Sequence, residues 1–491
     1  MDKEGGAAAH QSSKKSTLRA KAVVIGTLFL AVVLAIIIEH MAGASYKIVP
    51  VRSFMLAPFI LLLLCIAIIP FISGDWWGRR YPAVSYGLGL IGVLYYFFVL
   101  HNGTRMMHTA LDYFSFICLI GSLFVVSGGL HIRIKGRSTP IANVLLLAIG
   151  AVVANLFGTT GASMLLIRPY IRVNRYRVSG YHIVFFIFIV SNIGGLLTPI
   201  GDPPLFLGYL KGVPFFWVIA RTWYIWAFVS TLVLTVFYFI DRHHYRKISL
   251  PLEHEIEVAG EHATIQGLHN ILFLVIILAA VFLDRPIREI IMICAAVASY
   301  LTTREEVHLQ NDFNFIPIKE VAILFAGIFA TMVPVLDWLE LNACSLGIVG
   351  PGQFYWGSGI LSSFLDNAPT YLNFLSAACG LHNLNVDNLQ HMKALLGLLS
   401  PEQVSQLKGM LGAPTCIIND ESWRYVQAIS AGAVMFGANT YIGNGPNFMV
   451  KSIAEQSHVR MPSFFGYMVK YSIPILVPIF FIVWCIFFRG Y

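Results

Sequence analysis

Residues 198–206 read T-P-I-G-D-P-P-L-F, and residues 440–448 read T-Y-I-G-N-G-P-N-F. Thr, Ile, Gly, Pro and Phe recur at matching positions, and Asp202 of the first block corresponds to Asn444 of the second. Each block ends an apolar stretch with glycine and proline, which stop a helix and free its backbone amides and carbonyls. The chain therefore contains an internal repeat that predicts two discontinuous helices.

A second pair of interrupted apolar stretches precedes these blocks. The first stretch contains A-N-L-F-G-T-T-G-A-S at 154–163, and the second contains S-F-L-D-N-A-P-T at 363–370. Irregular backbone at membrane depth is tolerated only inside protein or beside a water-filled cavity. We therefore predict two re-entrant hairpins at 141–167 and 353–378, and two broken helices at 181–210 and 425–450.

The composition is that of an integral membrane protein. Of the 491 residues, 57% are hydrophobic and 12% are charged, and the mean hydropathy is +0.72. A soluble domain carries roughly 25% charged residues, because its surface must face water. The apolar runs are long enough to span a bilayer. They predict an all-α integral membrane protein with about 11 transmembrane helices plus the two re-entrant hairpins.

The distribution of basic residues orients the chain. Most of the Lys and Arg residues fall in loops on the same side as the N-terminus, and cytoplasmic loops carry such an excess. With the N-terminus in the cytoplasm, the first hairpin opens inward and the second outward, as an inverted repeat requires. The predicted order is a tail (1–21), a first half (22–240), a cytoplasmic linker (241–267) and a second half (268–491) with a polar insertion (380–424). We expect the plasma (inner) membrane as its location.

Several function classes are excluded by the sequence. It contains no H-E-x-x-H, G-x-S-x-G or Walker-type motif, so we predict neither an enzyme with catalytic residues nor an ATP-driven pump, and no cofactor. The formal net charge is +8, but the basic residues lie in short loops between apolar runs. They indicate membrane topology and contacts with the lipid bilayer, and not nucleic-acid binding.

Charged residues within membrane segments are costly and are usually functional. Asp202 and Asp366 fall on the breaks, so we predict that they are proton-coupling residues. His182 begins a predicted span and is expected at the membrane interface. Three other acids lie near predicted span ends, where we expect water or lipid headgroups to reach them: Glu39, Asp112 and Asp337.

The first break resembles a known family signature. S-N-I-G-G-L-L-T-P-I-G-D-P-P at 191–204 is similar to the S-N-I-G-G…I-G-D-P-P motif of the ion transporter superfamily, and D-N-A-P at 366–369 resembles the hairpin motif of NhaD-type antiporters. The closest branches are the arsenite permeases and the NhaD-type sodium–proton antiporters, with the citrate-transporter domain as the wider family. The resemblance covers about residues 50–488. It implies a homodimer with scaffold and transport domains and elevator-like alternating access.

The resemblance also implies an ion- and substrate-binding site at the hairpin tips and broken helices. Its residues would be Asn155, Thr159 and Thr160 in the first hairpin, Asp366, Asn367 and Thr370 in the second, Asn192, Thr198, Gly201 and Asp202 in the first broken helix, and Asn439, Thr440, Gly443 and Asn444 in the second. Asn155 stands near the position where some NhaD-type members have an acid, and Asn444 replaces a second aspartate. The number of titrating groups therefore stays open.

Two functions fit these features. In a sodium/proton antiporter, Asp202 and Asp366 alternate between H⁺ and Na⁺. In the alternative, a sodium-coupled transporter of a carboxylate or inorganic oxyanion, the hairpin tips hold Na⁺ and the half-helix N-termini hold the anion. The acids at the breaks, and the lack of a basic residue there to clamp a doubly charged anion, favour the antiporter. Sodium and protons are the expected partners, with a small anion under the alternative.

Overall fold

The computed structural model describes residues 48–133, 138–247, 264–411 and 421–490. The predicted tail, the first apolar run at 22–42 and most of the predicted linker lie outside these residues. Within them the regular secondary structure is helical apart from a two-stranded antiparallel sheet of β1 (His131–Arg133) and β2 (Thr264–Gln266).

The helices form two successive sets, before and after the linker. The first set is α1 (Ala57–Ile72), α2 (Gly74–Leu94), α3 (Gly103–Gly128), α4 (Pro140–Val173), α5 (Gly180–Ile189), α6 (Pro203–Leu210) and α7 (Phe215–Tyr245). The second set is α8 (His269–Ala280), α9 (Ile287–Thr302), α10 (Glu305–Gln310), α11 (Ile316–Asn342), α12 (Pro351–Phe364), α13 (Asn367–Leu381), α14 (Leu389–Leu395), α15 (Pro401–Leu411), α16 (Trp423–Phe436), α17 (Gly445–Gln456), α18 (Phe464–Tyr467) and α19 (Val477–Phe487). A π-helical segment joins α18 to α19.

Among the described residues, eight helical segments are long and apolar enough to cross a membrane. Large apolar side chains such as Phe98, Phe239 and Phe465 are more than half exposed on these segments, as lipid-facing side chains are. The prediction of an all-α, multi-pass membrane protein is therefore confirmed. The polar insertion contains the short helices α14 and α15.

The chain reverses direction within α4. Gly158 has φ 72° and ψ 157°, a conformation that glycine adopts without steric penalty. Asn143 donates a hydrogen bond of 2.8 Å to Asn174, although 31 residues of continuous helix would separate them by about 46 Å. The two arms of α4 therefore lie side by side, with their tip at Gly158. We call this element hairpin 1.

A second reversal separates α12 from α13. Phe354 on α12 and Phe374 on α13 have ring centroids 5.9 Å apart, so these helices also lie side by side. Asp366 directly precedes α13, and its carboxylate accepts a hydrogen bond from the Ala368 amide at 3.0 Å. We call α12 and α13 together hairpin 2.

The repeated blocks adopt the same backbone conformation. In both, a helix leads into a short 3-10 turn, a short non-helical segment follows, and a new helix begins at the sixth residue of the block. Asp202, which precedes α6, has φ −144° and ψ 143°, and Asn444, which precedes α17, has φ −153° and ψ 143°. The sequence repeat is therefore also a repeat of backbone structure.

Three side chains expected at the membrane interface are buried instead. Asp112 is 9% exposed, and Asp337 and His182 are fully buried. Asp112 and Asp337 lie on the faces of α3 and α11 that pack inside the protein, and each contacts a buried cation. The position of a residue near a span end does not reveal which face of the helix it occupies, so these predictions were wrong. Glu39 lies outside the described residues.

Candidate ion-binding site

Asp202 is the point at which all four interrupted elements meet. Its Oδ1 accepts hydrogen bonds from Thr159 Oγ1 of hairpin 1 at 2.7 Å and from Asn444 Nδ2 of the second broken helix at 3.0 Å. Its Oδ2 accepts a hydrogen bond from Asn367 Nδ2 of hairpin 2 at 2.5 Å. All four side chains are buried, and each of the three donors is neutral.

Local hydrogen bonds hold the first break against hairpin 1. Thr198 Oγ1 donates to the Asn155 carbonyl at 2.7 Å and accepts from the Gly201 amide at 3.0 Å. The Thr159 amide in turn donates to the Gly201 carbonyl at 2.8 Å. A Cβ at Gly201 would overlap the Gly195 carbonyl, so a glycine is required where the two segments cross. This crossing fixes the position of Asp202.

The second break repeats these contacts with hairpin 2. Thr440 Oγ1 donates to the Ser363 carbonyl at 2.5 Å and accepts from the Gly443 amide at 3.1 Å. Ser363 therefore occupies the position that Asn155 has in the first half. Sequence reasoning missed Ser363, although it stands three residues before Asp366, as Asn155 stands three residues before Gly158.

Three of the predicted site residues have an amide oxygen that is buried without a hydrogen-bond partner: Asn192, Asn367 and Asn439. An unsatisfied buried acceptor costs about 1–3 kcal/mol, so native proteins have few of them. Carbonyl oxygens are ligands that hard cations accept. These three oxygens are therefore candidate ligands for a cation that enters the site.

Asn192 also ties the two broken helices together. Its Nδ2 donates to Asn447 Oδ1 at 2.7 Å, and Asn447 Nδ2 donates to the Gly437 and Thr440 carbonyls, each at 2.8 Å. Asn447 was not among the predicted site residues, although the second sequence block contains it. The hydrogen bonds of Asn192 and Asn447 keep both breaks in one rigid unit.

The remaining predicted residues lie around this centre. The Asp366 carboxylate caps α13, and Thr370 Oγ1 donates to the Asp366 carbonyl at 2.9 Å within that helix. Thr160 lines a small cavity of about 30 Å³ together with Gly158 and Pro203. Thr159 and Asn367 thus contact Asp202 directly, whereas Asp366, Thr370 and Thr160 form the surroundings.

A cluster of buried charges lies where α3 and α11 meet the ends of α6 and α13. Lys211, at the end of α6, contacts Asp112 on α3 at 2.6 Å and also contacts Asp387 in the polar insertion. Arg105 on α3 contacts Asp387 at 3.2 Å and Asp337 on α11 at 3.0 Å. We call these five side chains, with Arg285, which contacts Asp112 at 2.6 Å, the charged cluster.

The described residues contain no group of three His, Cys, Asp or Glu side chains placed to hold a metal ion. The centre instead offers one carboxylate, hydroxyls and amide oxygens. Such neutral oxygens suit an alkali cation that must be released again, because each interaction is weak. Two broken helices and two hairpins around a buried polar centre are the architecture of a secondary transporter.

Comparison with known proteins supports this class. A family model described as "Putative citrate transport" matches residues 47–488. The chain therefore belongs to that family of membrane transporters, and the prediction of a citrate-transporter-like domain is confirmed. A search of curated proteins gave no match. The protein is thus a multi-pass membrane transporter and belongs to a transport family rather than an enzyme family.

Proposed function

We propose that this protein is a sodium/proton antiporter in which Asp202 is the central exchange group. The observation that carries the proposal is the set of partners of Asp202. A buried carboxylate surrounded only by neutral donors has a charge that no protein cation neutralises. Either H⁺ or Na⁺ can neutralise it, but one charge cannot bind both at once. Because of this competition, movement of Na⁺ in one direction is coupled to movement of H⁺ in the other.

Asp366 provides the second carboxylate of the proposed mechanism. It lies at the tip of hairpin 2, is partly exposed and directly precedes Asn367, which contacts Asp202. An ion that approaches Asp202 from this side would therefore pass Asp366. The unpartnered oxygens of Asn192, Asn367 and Asn439 would complete the coordination of Na⁺.

We further propose elevator-type alternating access. The two hairpins and two broken helices are joined through Asp202 and through the bond between Asn192 and Asn447, so they would move together as the transport domain. Their boundary with α3 and α11 is lined mostly by apolar side chains, among them Phe329, Met332 and Leu336. Apolar surfaces can slide past each other without breaking directional bonds, so on this boundary it is the ion pair of Lys211 with Asp112 that would have to break. The homodimer, the cytoplasmic N-terminus and the plasma-membrane location belong to the same proposal.

A second candidate is sodium-coupled transport of a carboxylate such as citrate, which the family description favours. The beginnings of α6 and α17 both lie at the centre, and helix N-termini attract anions. Asp202 already places a negative charge at the start of α6 and would repel a carboxylate there. Asn444 at the start of α17 is neutral, and the space around Gly445 is open. An anion would therefore bind at α17.

One experiment separates these functions. Purified protein is incorporated into vesicles that carry an imposed pH gradient and a pH-sensitive dye, with no organic anion present. For an antiporter, a pulse of sodium chloride discharges the gradient, whereas choline chloride of equal concentration does not. If sodium alone leaves the gradient unchanged and labelled citrate enters in a sodium-dependent manner, the second function replaces the first.

A further inference from the structure

Glu340 is a buried acid that the proposed exchange does not use. It lies on α11, one turn after Asp337, and is 8% exposed. Its Oε1 accepts a hydrogen bond of 3.2 Å from the amide of Val386, the residue before Asp387. Its Oε2 is buried without a partner. Glu340 therefore contacts the polar insertion next to the charged cluster.

The backbone around Glu340 is closely packed. A Cβ at Gly380, near the end of α13, would collide with the backbone of Glu340, so the two helices touch directly at this point. The groups that face Glu340 are Asp337 on its own helix, Arg105 from α3 and Asp387 from the insertion, and the Cys379 thiol from α13.

The charges of the cluster are balanced without Glu340. Its three cations are shared among three aspartates: Arg105 contacts Asp337 and Asp387, Lys211 contacts Asp387 and Asp112, and Arg285 contacts Asp112. An ionised Glu340 would add a fourth negative charge beside two aspartates in a buried place. Burial of an unpaired charge is so unfavourable that such groups take up a proton instead.

We propose that Glu340 is a proton-binding site, separate from Asp202, and that its proton stabilises the charged cluster. In the neutral form, Glu340 accepts a hydrogen bond from the Val386 amide and does not compete with Asp337 and Asp387 for Arg105. When Glu340 loses its proton, its negative charge competes for Arg105 and repels Asp387. The contact between α3 and the polar insertion then weakens, so proton release at Glu340 loosens the boundary that the proposed transport domain must cross.

The first test follows thermal unfolding of the purified full-length protein in detergent as a function of pH. Glu340→Gln keeps the size and an acceptor for Val386 but cannot ionise. A proton-stabilised state is lost as pH rises through the titration of its group. We therefore expect the Tm of the unmodified protein to fall, relative to Glu340→Gln, by roughly 2–4 °C as pH rises from about 6 to about 9. Glu306→Gln, at an exposed position on α10, serves as the control and should follow the unmodified protein.

The second test reads the protonation state directly. The infrared difference spectrum between the unmodified protein and Glu340→Gln at neutral pH should contain the carbonyl band of a protonated carboxylic acid. If Glu340→Gln does not fold, Glu340→Met retains the apolar stem and allows the same comparison. Carboxylate bands in place of the acid band, or parallel Tm profiles for Glu340→Gln and the unmodified protein, would overturn the proposal. Neither test measures transport, so the outcome is independent of the proposed function.

Discussion

Replacing Asp202 by asparagine should abolish sodium-driven proton movement and leave the protein folded. The carboxylate accepts three hydrogen bonds, and each bond to a charged acceptor contributes about 1.5–3 kcal/mol. Asparagine keeps one oxygen, which can still accept from Thr159 and Asn444. Its new NH₂ group would face the NH₂ group of Asn367, but that amide also carries an unpartnered oxygen. A rotation of the Asn367 amide by about half a turn therefore restores the third bond, because its two ends are nearly the same size.

The expected change in stability is small because two effects oppose each other. Three charge-assisted bonds become neutral ones, which costs about 1 kcal/mol each. Removal of the buried charge relieves a desolvation penalty of several kcal/mol. We therefore expect the Tm of Asp202→Asn to lie within a few degrees of that of the unmodified protein. Exchange should fall to the level of empty vesicles, because the central group no longer exchanges a charge.

The assay is the sodium pulse in vesicles that carry an imposed pH gradient, with Tm measured in detergent for each variant. Asp312→Asn is the matched control, since the Asp312 side chain is 77% exposed and forms a surface ion pair with Arg168. Asp112→Asn is unsuitable as a control because Asp112 belongs to the charged cluster. Near-normal exchange in folded Asp202→Asn would refute the assignment of Asp202.

Three further predictions concern the architecture. Arg105→Met removes a cation from the charged cluster and should lower stability by about 3–5 kcal/mol, measured as a lower Tm; an unchanged Tm would contradict the buried pairing. Gly443→Ala places a Cβ 2.6 Å from a backbone oxygen and should reduce both Tm and exchange, whereas Gly445→Ala, with open space around it, should change neither. Cysteines that replace Thr160 and Asp366 should react with impermeant thiol reagents from opposite sides of the membrane; labelling of both from one side would contradict the inverted repeat.

The repeat and its breaks could be predicted from the sequence because their signals are local. Glycine, proline and polar residues that cluster in the middle of an apolar stretch disfavour a regular helix, whereas a single proline, such as Pro82 in α2 or Pro334 in α11, does not end one. The helices that begin after Asp202 and after Asn444 both start inside the repeated blocks, and these two residues have nearly the same backbone angles. The composition likewise determines the membrane class, since it depends on no particular contact.

The charged cluster could not be predicted, because its contacts join residues that are far apart in the chain. Lys211 and Asp387 are separated by 176 residues, and Lys211 and Asp112 by 99. Helical periodicity did not mark Asp112 as inward-facing, because α3 is apolar on several faces. Ser363 was missed for a different reason. It is the backbone carbonyl of Ser363 that accepts the hydrogen bond from Thr440, and every residue type has such a carbonyl.

The two halves of the site differ at one central position, and that difference determines its charge. Asp202 and Asn444 occupy equivalent places, and the amide of Asn444 donates to the carboxylate of Asp202 at 3.0 Å. Two aspartates at this distance could not both ionise, and they would share a proton. Asn444→Asp should therefore make the site retain a proton, so that sodium-driven proton movement requires a higher pH than in the unmodified protein.

The measurement for Asn444→Asp is the rate of sodium-driven exchange in vesicles between about pH 6 and pH 9. Asn373→Asp provides the matched control, since Asn373 is also buried but lines an apolar cavity beside α1 and α11. It introduces the same carboxyl group outside the contacts of Asp202, so the pH that sodium-driven exchange requires should not rise. If exchange by Asn444→Asp depends on pH as it does in the unmodified protein, proton binding at the site does not depend on a single central carboxylate. The divergence of the two repeats at this position would then have no role in exchange.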